Sequence, residues 1–178
     1  MTEKVIIAGA GGQGIMVLGK ALCVAAMLEH KYVTWLPAYG PEVRGGAAHC
    51  SVIVSDKEIG SPCIAQPDTV IAMNALSLER FKSRVKKNGL VIINSSLANM
   101  DIKESTAKIL HFPFTDIAAG LGNVKVANIV ILGCYLAQKK IISMNSAIQA
   151  IQELAPRGRQ DLVEINIKAL YAGKELVL

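Results

Sequence analysis

Strand signals that alternate with helix signals, a glycine-rich turn after the first strand, and a final third with helical apolar spacing together predict an α/β fold. The expected form is Rossmann-like: a mostly parallel sheet with a β-hairpin insertion and a helical C-terminal third. Residues 4–8, KVIIA, form a short continuous apolar run and read as a buried strand. Residues 14–29 follow as a helix with apolar residues on most faces. YVTWLPA (32–38) is a second strand, ended by Pro37, and YGPEVRGGA (39–47) is a turn-rich loop. AHCSVIVS (48–55) is rich in β-branched residues, SDKE (55–58) turns the chain, and EIGSP (58–62) is expected to return as a short antiparallel partner. TVIAMN (69–74) feeds a helix near 75–87, and GLVIINSS (89–96) and AKILHFP (107–113) are two more strands.

From Asn123 the pattern changes. NVKVANIVILGCYLAQKK (123–140) is a strongly apolar helix whose closing lysines suit the negative end of its dipole. SMNSAIQAIQELA (143–155) opens on a serine cap and is stopped by Pro156. DLVEINIKALYAGKEL (161–176) places apolar residues at 162, 163, 165, 167, 170 and 171, roughly one helical face, with Asp161 as its expected cap. No repeat or low-complexity linker divides the chain, so residues 1–178 are expected to form one domain. In such a sheet the loops after parallel strands open on the carboxyl edge. Residues 9–14 and 39–46 should therefore line one crevice.

Composition narrows the function classes. Of the 178 residues 52% are apolar, more than a solvated surface needs. The longest apolar candidates, IVILGCYLA (129–137) and IMVLGKALCVAAML (15–28), fall short of the ~20 residues that span a bilayer, and the second carries a lysine. No membrane span and a cytoplasmic location are expected, since MTEKVII leads straight into a strand with no signal-peptide pattern. The apolar surplus then points to surface covered by other chains. A net charge of +5 with 4% aromatic residues gives no stacking platform for nucleic acid. The densest basic stretch, RFKSRVKK (80–87), reads as a solvated helix end, with contact to an acidic partner as the alternative. Cys23, Cys50, Cys63 and Cys134 have no zinc or iron–sulfur spacing, and His30, His49 and His111 are equally scattered. No metal site is expected, and any redox centre belongs to another chain. Cys23 and Cys134 fall in helical apolar patterns and read as core.

The glycine loop has the order strand, glycines, helix, which turns unpaired N–H groups and a positive dipole end toward the crevice. Gly9 suits the tight turn, Gly11 the close approach of a ligand, and Gly14 the packing of helix on strand. Gly12 and Gln13 lie between them. A dinucleotide fold also needs an acid for the ribose about 20 residues on, at the end of the second strand. Here that strand reads VTWLPA, and the nearby Glu29 belongs to the preceding helix. A Walker loop is excluded too, because no Gly-Lys-Ser/Thr follows. The loop therefore reads either as a close-packing turn or as an anion site for something other than a dinucleotide. In the second loop, Arg44 followed by Gly45 and Gly46 offers a rigid fork to a carboxylate or phosphate. Glu42 either neutralises it or meets a partner's basic group. His49 and Cys50 are adjacent on a strand and point to opposite faces, so they make a poor dyad. No catalytic residue is expected on this chain.

GAGGQGI near the N-terminus and YGPEVRGGAAHCSVIVSDKEIGSP (39–62) resemble the gamma subunit of 2-oxoacid:ferredoxin (or acceptor) oxidoreductases. The similarity extends through ANIVILG (127–133) to LVEINIKALYAGKEL (162–176), and so over nearly the whole chain. The Gly-Pro-Glu-x-Arg-Gly-Gly form is closer to the 2-oxoglutarate and branched-chain oxoacid branch than to the pyruvate branch. The resemblance implies a multisubunit enzyme that decarboxylates a 2-oxoacid, transfers the acyl group to coenzyme A, and passes two electrons to ferredoxin or another acceptor. It also implies that thiamine diphosphate and iron–sulfur clusters reside on alpha, beta and, in some members, delta subunits. The chain alone would be inactive. Residues Gly9, Gly11, Gly12, Gln13 and Gly14, with Glu42, Arg44, Gly45 and Gly46, would form a docking surface near the route of coenzyme A. The alternatives at this point are a stand-alone nucleotide-binding Rossmann-like protein and a ligand-free interaction module.

Overall fold

In the computed structural model, which describes residues 1–38, 48–98 and 106–177, six strands form one sheet in the order β2-β3-β1-β4-β5-β6. The strands are β1 (Thr2–Gly9), β2 (Tyr32–Ala38), β3 (Ala48–Ser55), β4 (Thr69–Ala72), β5 (Leu90–Asn94) and β6 (Lys108–Phe112). The helices are α1 (Ile15–Leu28), α2 (Ala75–Phe81), α3 (Phe114–Gly120), α4 (Ala127–Lys139), α5 (Met144–Leu154) and α6 (Gln160–Glu175). Strand β3 runs antiparallel to both neighbours, and the β1-β4-β5-β6 pairs are parallel. The Rossmann-like, mostly parallel fold with a helical last third is thus observed.

The central strands are buried on both sides, which explains their unbroken apolar runs. Along β1, Val5 and Ile7 enter the main core with Val52, Ile71 and Ile92, under α1 and α4. Ile6 and Ala8 point the other way, to Ile53, Val70 and Phe81. Helix α4 lies deep in the first of these layers, with every residue from Ala127 to Leu136 buried. No helix among the described residues is long and apolar enough to cross a membrane.

Several expectations are corrected. Residues 58–62 form no strand; the hairpin partner of β3 is β2, and β1 holds the other edge of β3. With both edges taken, β3 has no donors or acceptors left for a returning segment. The helix expected over 75–87 ends at Phe81 in a 3-10 turn, Lys82–Arg84. There the Arg84 guanidinium donates to the Ile64 carbonyl (2.8 Å) and Lys86 N to that of Pro67 (3.0 Å), drawing the chain off the helical path. Helix α3 is seven residues long, too short for periodicity to announce it. The helix expected from 123 begins at Ala127, after a 3-10 turn capped by Asn123. Ser143 caps α5 as expected, its hydroxyl accepting from Ser146 N. Arg159, not Asp161, holds the cap position of α6; Asp161 lies in the first turn, in an ion pair with Arg159 at 2.7 Å. The apolar face of α6 centres on Val163, Ala169, Leu170 and Gly173, while Tyr171 is exposed.

Two consequences of this topology position the site. Gly9 pairs with Ala48 and Ala38 with His49, so the glycine loop and the chain ends flanking 39–47 share the carboxyl edge. The crossover after β1 runs through α1 to β2 on one side, and the crossover after β4 runs through α2 to β5 on the other. Between the parallel neighbours β1 and β4 the chain direction diverges, the switch point at which sheets of this type bind ligands.

Candidate functional site at the carboxyl edge

The turn from β1 to α1 needs left-handed backbone at Gly12 (φ 87°) and Gly14 (φ 71°), which only glycine adopts at no steric cost. Helix α1 then starts with the bond from Leu18 N to Gly14 O at 2.9 Å, and the amides of its first turn have no acceptor within the helix. Gly9 is confined differently. A Cβ there would lie 2.6 Å from Gln13 Oε1 and 2.9 Å from Met73 Cβ, so the protein's own side chains leave room for glycine alone. At Gly14 the confining neighbour is not a strand but Asn128 of α4, whose Nδ2 donates to Gly14 O at 3.0 Å. Ile129 N donates to Asn128 Oδ1 at 2.9 Å. A buried amide with both ends used thus joins the N-termini of α1 and α4.

The switch point itself is bridged by side chains. Asn74, at the end of β4, accepts from Ser77 N at 2.9 Å and so caps α2. Its Nδ2 donates to Gln13 Oε1 at 3.2 Å, and Ala10 N donates to the same oxygen at 2.6 Å. The chain of bonds sets both amide orientations, because either flip would set donor against donor. Gln13 thus places its own side chain between the ends of β1 and β4 and takes up the Ala10 amide. At the end of β2 the side chains are Trp35, Leu36 and Pro37, with no acid for a ribose.

A groove of about 460 Å³ opens beside the loop, between α1, the start of α4, the end of α5 and α6. Gly12 and Gly14 form its floor at one end, with Lys125 and Asn128 beside them, and Val17 and Leu154 are among its apolar walls. Two smaller depressions adjoin it at Gly12. One, of about 280 Å³, follows residues 10–17 to Ala48; the other, of about 180 Å³, reaches Gln13, Leu97, Thr115 and Val124. Among the described residues lining the three, Lys125 is the one charged side chain. The amide oxygens of Asn123 and Asn128 each accept one backbone bond, from Lys125 N and Ile129 N. The charge of Lys125 and the first-turn amides of α1 suit this edge to an anion.

Sequence reasoning placed Gly9, Gly11, Gly12, Gln13 and Gly14 at this edge, and the structure brings them together there. Glu42, Arg44, Gly45 and Gly46 lie outside the described residues. Asn74, Lys125, Asn128 and Asn166, the last lining the groove from α6 with its Nδ2 donating to Leu162 O at 2.8 Å, were missed. Asn74 and Asn128, each one residue from a helix start, carried a signal only as first-turn amides.

The three buried thiols are poor nucleophiles, and among the described residues no group of three His, Cys, Asp or Glu is placed to hold a metal ion. Cys50 packs under α1, its Sγ donating to Ile15 O at 3.6 Å, and burial pushes its thiol up to about 11. Burial, and then the neighbouring Cys50, raise Cys23 to about 12, and burial raises Cys134 to about 12. His49 faces the opposite side of the sheet, its ring 5.0 Å from Phe81, so the two neighbours form no dyad. The basic stretch at 80–87 uses local partners. Arg80 and Arg84 stack on Phe81 at 5.4 and 5.3 Å, Lys82 meets Glu79, and Lys86 meets Asp68.

The model of one protein family, pyruvate ferredoxin/flavodoxin oxidoreductase, matches residues 4–176. The 2-oxoglutarate synthase subunit KorC of Methanocaldococcus jannaschii is 32% identical over 179 residues, covering 99% of this chain and 94% of the relative. The ketoisovalerate oxidoreductase subunit VorA of Methanothermobacter marburgensis is 34% identical over 172 residues. The match takes in 97% of this chain but only 36% of VorA, so the chain spans about a third of that relative's length. Among solved structures, the keto/oxoacid ferredoxin oxidoreductase gamma subunit from Geobacter sulfurreducens superposes with a TM-score of 0.85. It is 29% identical, and 98% and 97% of the two chains are covered.

Proposed function

We propose, on the premise that this chain belongs to the pyruvate ferredoxin/flavodoxin oxidoreductase family, that it is the gamma-type subunit of a multisubunit 2-oxoacid:ferredoxin (or other acceptor) oxidoreductase. It serves there as a single domain, residues 1–178, in the cytoplasm. In the overall reaction a 2-oxoacid such as 2-oxoglutarate loses its carboxylate as CO2 and its acyl carbon forms a thioester with the sulfur of coenzyme A. Two electrons pass to ferredoxin or another acceptor. The observation that carries this reading is the match, over nearly the full length of both chains, to KorC.

Thiamine diphosphate and the clusters are assigned to alpha, beta and, where present, delta subunits. The cysteines of this chain do not fit a cluster: Cys23, Cys50 and Cys134 lie in the core, and Cys63 stands on the surface. Coenzyme A fits better. The backbone donors at Gly11, Gly12 and Gly14, along the depression that runs to Ala48, suit its phosphates, with no carboxylate among the described lining residues to oppose them. This chain contributes surface and positive potential rather than a general base. Residues 9–14, with Glu42, Arg44, Gly45 and Gly46, dock on the catalytic subunits near coenzyme A. The Gln13 bridge across the switch point argues against a stand-alone nucleotide-binding protein.

Purification of the tagged chain from native extract tests the reading. Larger subunits carrying thiamine diphosphate, iron and sulfide should accompany it, with viologen reduction that needs both a 2-oxoacid and coenzyme A. A chain that emerges alone, with no such activity, would sink it.

A further inference from the structure

The groove between α1, α5 and α6 has a composition that a small anion does not explain. Most of its wall is apolar: Val17 from α1, Ile151 and Leu154 from α5, and Leu162 from α6. Its polar side chains are Asn166 on α6 and, toward the glycine end, Asn123, Lys125 and Asn128, of which Lys125 alone is charged. The apolar surface also continues past the rim. Val17 is 52% exposed, Val124 55%, Leu97 46% and Leu154 36%, and all four line this groove or the depression joined to it at Gly12 and Lys125. A small molecule seated inside would leave much of that rim in water. A protein segment would cover groove and rim together, as the apolar centre of an interface does.

We infer that this groove is a socket for a segment of the partner subunit that presents an aliphatic side chain beside a carboxylate. The inference rests on the subunit reading above and names the contact by which the chain is held. The aliphatic group enters between Val17, Leu154 and Leu162, and the carboxylate meets Lys125. Charge complementarity sets the sign: Lys125 is the one charged residue among the described lining, so an acidic segment is favoured and a basic one repelled. VorA supplies a second support. In that relative the matched region is 36% of a longer polypeptide, so further protein is tied to the equivalent of this domain.

The test uses the assembled complex, with the untagged chain exchanged for variants and dissociation followed by native mass spectrometry and size exclusion. Val17→Asp and Leu154→Asp replace exposed side chains, so the isolated variants should keep the wild-type circular dichroism and melting midpoint. In the complex, each is expected to weaken assembly by roughly 30-fold or more, the effect of losing a central apolar contact. Lys125→Glu should weaken it about tenfold, with a smaller loss at high salt. A wild-type complex that tolerates all three changes overturns the socket and leaves the subunit reading standing. Intact assembly with a raised KM for coenzyme A would overturn it in favour of a small-molecule site. Intact assembly with loss of a chain–chain dimer would overturn it in favour of a second copy. Failure of the wild-type chain to join any larger subunit would instead overturn the subunit reading, and the socket's occupant with it.

Discussion

Helices α4 and α6 cross at two glycines, and a single methyl group at either should force them apart. A Cβ on Gly133 would overlap the Leu170 carbonyl oxygen and lie 3.1 Å from Lys174 N. One on Gly173 would overlap the Val130 carbonyl oxygen and lie 2.9 Å from Cys134 N. Every one of these atoms is backbone, so no side-chain rotation relieves the clash. Restoring carbon–oxygen contact distance requires the helices to separate by roughly 1.5 Å. Separation opens the layer formed by Val130, Cys134, Ala169 and Leu170, all buried. Alanine returns up to ~1 kcal/mol through better helix propensity, whereas overpacking and the resulting gap cost about 2–4 kcal/mol. The net loss of ~1–3 kcal/mol for Gly133→Ala or Gly173→Ala corresponds to a Tm lower by about 3–10 °C in a domain of this size. Gly120, the last residue of α3, has nothing within 4 Å of a Cβ, so Gly120→Ala should be neutral or slightly stabilising. Because one separation relieves both clashes, the Gly133→Ala/Gly173→Ala double variant should cost less than the sum. Thermal and urea melts decide the matter. A Gly133→Ala chain that melts at or above wild type, as Gly120→Ala should, would refute the close-crossing account.

Gln13→Ala strips Ala10 N and Asn74 Nδ2 of their shared acceptor; urea unfolding should show a loss of about 1–2 kcal/mol, and no loss would demote the bridge. At Glu29, burial works to raise the carboxyl, but bonds from Ser143 N (2.6 Å) and the Ser146 hydroxyl (2.8 Å) outweigh it and hold it below the usual range. A depressed acid stabilises the fold above its unfolded pKa, about 4.3, and that stability is lost as pH falls through the lower folded value. Glu29→Gln should therefore lower the Tm at pH 7 and flatten its decline below pH 4.5; parallel curves for both proteins would contradict this. Titration with a thiol reagent at pH 8 should label Cys63 quickly in the folded chain, while Cys23, Cys50 and Cys134 react only on unfolding. Rapid labelling of a second thiol before denaturant would count against the packed core. In the assembled enzyme, Arg44→Ala should raise the coenzyme A concentration needed for half-maximal rate. Unchanged dependence with intact assembly would remove that arginine from the site.

Much of this protein is written locally. The apolar runs of β1 and β2, the serine at 143 and the glycine turn depend on neighbours a few residues away, so periodicity and capping rules reach them. The resemblance read from YGPEVRGG is equally local, and the family match over residues 4–176 agrees with it. What the tertiary structure alone decided are pairings between distant residues. β3 accepts β2 and β1 as neighbours, which leaves 58–62 no edge of β3 to join. Gly14 is confined by Asn128, 114 residues on, and Gly133 by Leu170. The switch point is closed by Gln13 reaching Asn74, 61 residues away. Side-chain patterns report which face of an element is apolar. Which element will cover that face is set by packing and by loop closure across the whole chain, and that decision first becomes visible in three dimensions.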